Sequence, residues 1–197
     1  MNKQAQGPGT LINLRNSETE FGLVALVMHW LMAMLIVGLF GLGLWMVELD
    51  YYSEWYKTGP DIHRGFGVIV LFLLLFRLAF RLWNPPPIQE ASLRRWEGIS
   101  AVIMHWTLYL GIFVVIVSGY LISTADGRSV AVFNWFEIPA TISSVDNQED
   151  IFGSIHFYVA TALLVLSGLH TAAAFKHHFI DKDGTLKRIL GLPGQPI

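Results

Sequence analysis

Two histidines, His156 and His170, stand fourteen residues apart in one long apolar run. On an α-helix, fourteen steps of about 100° fall roughly 40° short of four turns. Both side chains therefore leave nearly the same face, about 21 Å apart along the axis. That spacing suits two flat metal macrocycles hung in series across a bilayer. Each macrocycle needs a second axial ligand at matching depth. His63 opens another apolar run that enters from the same side as the run bearing His156, so these two share an outer level. His29 and His170 both lie near inner ends and share an inner level. His105 sits at a similar depth, so depth alone leaves the choice between His29 and His105 open. Neutral imidazole is a natural ligand for haem iron, and two imidazoles fill both axial positions, which favours electron transfer over oxygen binding. The chain has no cysteine. That excludes disulfides, thiolate zinc sites, iron–sulfur clusters and covalent c-type haem attachment. The two depth-matched pairs thus predict two non-covalent haems.

Other residues are weighed against their ordinary roles. A histidine at a helix end often bonds only a carbonyl or water. His177 and His178, past the last apolar run, fit that role as well as a functional one, since cations are favoured at a helix C-terminus. His29 and His170 lie inside apolar runs, where an ionisable side chain is costly and functional by default. Arg64, Arg77 and Arg81 are candidate partners for haem propionates. Gly65 and Gly67 beside His63, and Gly168 beside His170, leave room for a macrocycle, although membrane-helix glycines also serve helix packing. Met28-His29-Trp30 recurs as Met104-His105-Trp106, and each histidine has a glycine fourteen residues later, Gly43 and Gly119. The rest of those runs differs, so the echo reads as similar local demands.

The elements that must position these residues are membrane helices. Of 197 residues, 53% are hydrophobic and only 14% charged, well below the roughly 25% charged content of soluble domains. Four apolar stretches run from about Phe21 to Val47, His63 to Trp83, Ile99 to Ile122 and Ile155 to Phe175. Each is close to the roughly 20 residues that cross a bilayer. Arg77 and Arg81 lie four apart near the end of the second stretch and can snorkel to headgroups. Pro85-Pro86-Pro87 stops that helix, and Pro60 marks its start. The expected fold is all-α, a transmembrane four-helix bundle over 21–190. Before it lies a flexible cytoplasmic tail, 1–20, polar and bearing Gly7-Pro8-Gly9; after it lies a short tail, 191–197. No basic run suggests nucleic acid.

Ten basic residues fall on the side of the chain termini and three, Lys57, Arg64 and Arg128, on the other. That bias predicts cytoplasmic N and C termini. The outer segments carry nine acidic residues, among them Asp61, Asp126 and Glu137. A net negative outer face slows the arrival of an anionic substrate, although a local funnel around Lys57, Arg64 and Arg128 would oppose that effect. Tyr51, Tyr52, Trp55, Tyr56, Trp135 and Phe136 have the character of interfacial aromatics.

On these residues the chain resembles the bacterial cytochrome b561 family, from Phe21 to Leu190. The resemblance rests on Met28-His29-Trp30, His63-Arg64-Gly65-Phe66-Gly67, Ser118-Gly119-Tyr120 and Gly168-Leu169-His170. It rests also on the tail His177-His178-Phe179-Ile180-Asp181-Lys182-Asp183-Gly184-Thr185-Leu186. It implies a four-helix bundle in a bacterial inner membrane with two b haems. One would bind His29 and His170, the other His63 and His156, which resolves the tie against His105. It further implies exchange of electrons with ubiquinone, and one superoxide-oxidising member passes electrons from superoxide to that quinone. There the quinone lies at the cytoplasmic end, near the histidine that matches His177. His177 follows His170 by seven residues, about two turns, and so stays on the same face if the helix continues.

The leading functional reading is a di-haem electron carrier between an unknown outer electron donor and membrane ubiquinone, in contact with lipid throughout. A cytochrome b anchor for a separate dehydrogenase or hydrogenase subunit is a second reading. A histidine-based metal or proton transporter is a third, and it lacks an Asp or Glu within the spans to share a relay. The orientation is directly testable. A reporter fused to the C-terminus should be active only in a form that works in the cytoplasm, and activity of a periplasm-dependent reporter there would overturn the inner and outer labels.

Overall fold

A computed structural model describes residues 13–90, 92–143 and 145–192. The described chain forms α1 (Leu23–Met46), α2 (Thr58–Trp83), α3 (Arg95–Ser123), β1 (Val130–Val132), β2 (Phe136–Ile138), α4 (Gln148–Lys176) and α5 (Thr185–Ile189). A π-helical turn, His177–Asp181, extends α4. All four long helices are long and apolar enough to cross a membrane. The fold is the expected all-α transmembrane four-helix bundle. The helices outrun the apolar stretches at their polar ends: α3 begins at Arg95 and α4 at Gln148. Hydropathy marks where lipid begins, whereas caps mark where the helix begins. At α3 the Arg94 backbone N–H donates to Glu97 Oε2 at 3.0 Å. At α4 the buried Gln148 Nε2 donates to Leu121 O and Ile142 O, both at 2.9 Å.

The helices pack in sequence, α1 on α2, α2 on α3 and α3 most closely on α4, while the α4 backbone stands off from α1 and α2. The tightest core lies at mid-depth: Met32 from α1, Val70 and Leu74 from α2, Ile112 from α3 and Leu163 from α4, with Ile36 packed against them. Many large apolar side chains on the outside remain exposed, among them Phe72, Phe76, Leu110 and Val165. In water such a surface would be untenable; against acyl chains it needs no cover.

The inner end, where α1 starts and α4 stops, is tied by polar contacts. Trp30 Nε1 donates to Ile189 O at 2.9 Å, docking α5 on α1. Arg188 donates to Ile88 O at 2.9 Å and pairs with Glu90 at 3.1 Å. Lys176 at the end of α4 pairs with Glu97 at the start of α3 at 2.6 Å. The segment before α1 joins this end: Asn16 Nδ2 donates to Asn84 O and Pro85 O, and Arg15 stacks over Trp83 at 4.5 Å. The N-terminal tail read as 1–20 is thus held from Asn13 onward, because the proline run leaves carbonyls that Asn16 can reach. Residues 1–12 and 193–197 of the two tails lie outside the described residues.

At the outer end, β1 and β2 form an antiparallel hairpin, Val132 opposite Phe136. The sequence gives no strand signal there, since two three-residue strands make too short a pattern to detect. Phe133 at its tip has φ 46°, a left-handed conformation that costs a bulky residue of order 1–3 kcal/mol. Its ring offsets that cost by packing edge-on against Phe66 at 5.2 Å and directly over Gly65. A Cβ on Gly65 would lie 2.7 Å from the Phe133 ring. The space beside Gly65 therefore belongs to Phe133. Replacing Gly65 with Leu should dislodge Phe133 and lower stability by about 1–3 kcal/mol. The check is a lower melting temperature with altered fluorescence of neighbouring Trp135; an unchanged melt and spectrum would refute this packing.

Candidate functional site

At the outer level α2 and α4 bring His63 and His156 together, ring centres 6.1 Å apart and planes at 66°. His156 Nδ1 lies 2.9 Å from Val115 O on α3. A carbonyl only accepts, so Nδ1 carries the proton and Nε2 presents its lone pair. Ser118 supports the same ring, its Oγ 3.3 Å from Nδ1, while donating to Val114 O and Val115 O. Among the described residues His63 Nδ1 is buried without a hydrogen-bond partner. Such an orphan costs about 1–3 kcal/mol unless something further occupies the site.

At the inner level three imidazoles meet. His170 of α4 stands 6.4 Å from His29 of α1 and 5.2 Å from His105 of α3. Two imidazoles facing one metal from opposite sides, as haem iron requires, with each nitrogen about 2 Å from it and each ring centre about 1.1 Å beyond, have centres roughly 6 Å apart. The pairs His63–His156 and His29–His170 meet that spacing, and His105–His170 is nearly an ångström too close. Both fitting pairs also span the gap between α4 and the α1–α2 hairpin, where the backbones stand apart. The residues present fit two bis-imidazole metal centres of the haem kind.

Arg77 and Arg81 line the inner cluster. Arg77 Nη2 lies 3.0 Å from His29 Nδ1, and its Nε donates to Tyr109 OH at 3.1 Å. Both guanidinium groups lie 5.9 Å from the centre of the Tyr109 ring. Neither has an acidic partner among the described salt bridges. Two cations within a membrane helix favour an anion from elsewhere. A guanidinium can only donate, so His29 Nδ1 accepts here and a neutral ring carries its proton on Nε2. Binding a metal through His29 Nε2 requires Arg77 to release Nδ1.

One plan underlies both helical hairpins. His63 is followed fourteen residues later by Arg77, as His156 is by His170; His29 is followed by Gly43, as His105 is by Gly119. The glycines have a common task. A Cβ on Gly43 would lie 3.3 Å from the His63 ring, and one on Gly119 would lie 3.0 Å from the His156 ring. Ile36, Val70, Ile112 and Leu163 stand midway on their helices, seven residues from either marker; the last three belong to the mid-depth core and Ile36 packs against it. Gly67 and Gly168 face open space.

His177 sits on the π-turn with Nδ1 2.9 Å from Asp181 Oδ2 and 3.1 Å from Asp183 Oδ2. Lys176 bridges Asp181 and Glu97, at 2.6 Å each. The sequence singles out His177, gives Asp181, Asp183 and Ser118 a place only within motifs, and leaves Glu97 beside His177, and Tyr109 and Val115 at the two levels, unmarked. Spacing could have found some of them: Tyr109 follows His105 by four residues and Asp181 follows His177 by four, each on one helical face. The carbonyl of Val115 leaves no signal in side-chain identity. At the outer end Arg64 pairs with Asp61 and Arg128 with Asp126. The Arg128 hydrogen bond holds the Asp126 carboxyl below its usual range. Two of the three outer cations are thus neutralised locally, which weakens any funnel for an anion.

Comparison with known proteins adds family information. The family described as prokaryotic cytochrome b561 matches residues 20–192. Cytochrome b561 homolog 2 of Escherichia coli (strain K12) is 43% identical over 180 residues, covering 91% of this chain and 96% of that protein. The probable superoxide oxidase CybB of Yersinia pestis is 28% identical over 177 residues, covering 87% and 96%. Cytochrome b561 homolog 1 of Escherichia coli (strain K12) is 25% identical over 138 residues, covering 70% and 78%.

Proposed function

The chain belongs to the prokaryotic cytochrome b561 family, a multi-pass membrane b-type cytochrome of electron transfer, and from that premise we propose that it carries two haems b and moves electrons between an outer donor and membrane ubiquinone. The observation that carries this reading is the pair of imidazole couples, 6.1 Å and 6.4 Å between ring centres. Their two α4 members are separated by about 21 Å along the helix axis. In the proposal His63 and His156 would hold the outer haem and His29 and His170 the inner one. Held by imidazoles, haem iron would supply one-electron chemistry.

The remaining work falls to the chain. The Val115 carbonyl fixes the tautomer of His156 and makes it a stronger ligand. Gly43 and Gly119 give the outer imidazoles their room. The core layer of Val70, Ile112 and Leu163 keeps water out between the two levels. Arg77 and Arg81 would hold the carboxylates of the inner haem; with Arg77 turned away from His29 Nδ1, that nitrogen would carry the ring's proton and Nε2 would be free to hold the iron. Arg64, 38% exposed and already paired with Asp61, is the weaker propionate candidate. His105 packs beside His170 outside the ligand set. With both termini in the cytoplasm of a bacterial inner membrane, the inner level faces the cytoplasm.

His177 is our candidate for the quinone. Its Nδ1 lies beside Asp181 and Asp183, which leaves Nε2–H to donate to a quinone carbonyl and to pass on a proton replaced from water. The outer donor is better neutral or cationic than anionic, given the paired arginines and the acidic outer segments. The name of the Yersinia pestis relative points to superoxide, and that substrate would have to approach against this field.

Two outcomes test the reading. His156→Ala should lose mainly the outer haem and His170→Ala mainly the inner one, with the other retained in each, as read by pyridine haemochrome and optical spectra. Equal loss from both sites in either variant would contradict the pairing. His177→Ala should keep both haem spectra and slow reoxidation by a soluble ubiquinone analogue several-fold. Unchanged reoxidation would remove His177 from the quinone site and leave the ligand pairs standing.

A further inference from the structure

The inner end of α4 holds more negative charge than its neighbours neutralise. The π-turn widens the helix by one residue and sets Asp181 beside His177, 2.9 Å from Nδ1. Lys182 then adopts a left-handed conformation, φ 58°, and turns the chain back. The Asp183 N–H donates to His177 O at 3.1 Å, which brings the Asp183 carboxylate against the same ring. Glu97 reaches in from the start of α3, offering an oxygen within 4.8 Å of both His177 and Asp181. Three carboxylates face one ammonium, Lys176. The adjacent Arg188–Glu90 pair neutralises itself.

Two of the carboxylates are deeply buried, Asp183 with 4% and Glu97 with 8% of the side chain exposed. Asp183 Oδ2 and His177 Nδ1 lie 3.1 Å apart, yet among the described residues neither makes a hydrogen bond of acceptable geometry. A buried carboxylate oxygen and a buried imidazole nitrogen at that distance, both unsatisfied, carry a cost that a shared cation removes. Ligand atoms about 2.0–2.2 Å from one ion, at angles between octahedral and tetrahedral, stand roughly 2.8–3.6 Å apart. The separations at His177 Nδ1, 2.9 Å and 3.1 Å, fall within that range.

We propose that His177, Asp181, Asp183 and Glu97 form a binding site for one divalent transition-metal ion of the zinc class. The imidazole nitrogen selects against magnesium and calcium, which take oxygen ligands. With Lys176 turned away, the three carboxylates carry three negative charges, of which a divalent ion neutralises two, one more than the single ammonium does. Lys176 is 40% exposed on its side chain and touches Glu97 and Asp181, two of the four ligands. It therefore competes with the metal and must swing toward solvent when the metal binds. The site lies apart from the four proposed haem ligands and does not depend on quinone binding.

The test uses the full-length, haem-loaded protein stripped of adventitious metal and titrated with zinc, with retained zinc counted by elemental analysis. The wild type should retain one zinc per chain in the presence of excess magnesium. His177→Ala and the double variant Asp181→Asn/Asp183→Asn should weaken binding about tenfold or more with unchanged haem spectra. Lys176→Ala should tighten it, an effect that diffuse surface charge would not produce in a site-specific way. Absence of retained zinc in the wild type, or equal retention in wild type and His177→Ala, would overturn the proposal. So would weaker binding in Lys176→Ala.

Discussion

A polar ring inside hydrocarbon must find a partner, and in this protein that constraint governs almost everything else. No water is available at depth to satisfy an imidazole, so each histidine placed on a spanning helix must meet a carbonyl, another side chain or a ligand. Five of the seven histidines lie on spanning helices, and they gather at two levels. The helices conform to this gathering. Small residues on α1 and α3 let the rings of α2 and α4 approach, and the α4 backbone stands off from α1 and α2 where the couples meet. Ordinary close packing survives in the layer between the levels, where Met32, Val70, Leu74, Ile112 and Leu163 interlock.

The two hairpins share a plan but differ at one decisive position. Where α4 carries His170, α2 carries Arg77, and the inner level is asymmetric as a result. An arginine cannot ligate a metal. It can hold an anion and constrain a neighbouring imidazole, and Arg77 does the latter at His29. The matching of helix positions thus gives His105 a reason to exist without giving it a ligand partner of its own. The position on α2 that matches His170 on α4 is occupied by a cation, Arg77.

Much of this was legible in the sequence because the relevant signals are periodic. Fourteen-residue spacing on an apolar run specifies one face and two depths, so the level of each histidine followed from helix geometry alone. Depth did not separate His29 from His105; the resemblance to a known family did, and the ring spacing of 6.4 Å against 5.2 Å offers a physical ground for the same choice. Features without periodicity stayed hidden. The hairpin Val130–Ile138 is too short to show an alternating pattern, and Phe133 over Gly65 joins residues far apart in the chain. The tail motif had no generic explanation in sequence. In the fold, Trp30, Glu90 and Glu97 provide one, since α5 and the π-turn dock on them or their neighbours. The echo of Met28-His29-Trp30 and Met104-His105-Trp106 likewise became interpretable once Gly43 and Gly119 were seen against the histidines of the following helices.

The central claim is that two couples of imidazoles each hold one haem iron from both sides. Electron paramagnetic resonance of the oxidised, haem-loaded protein at low temperature reads this directly, because bis-imidazole ligation gives low-spin ferric iron. Two distinct low-spin signals of equal weight, with no high-spin component, are predicted. A single low-spin species, or a substantial high-spin signal from an iron with an open axial position, would contradict the account.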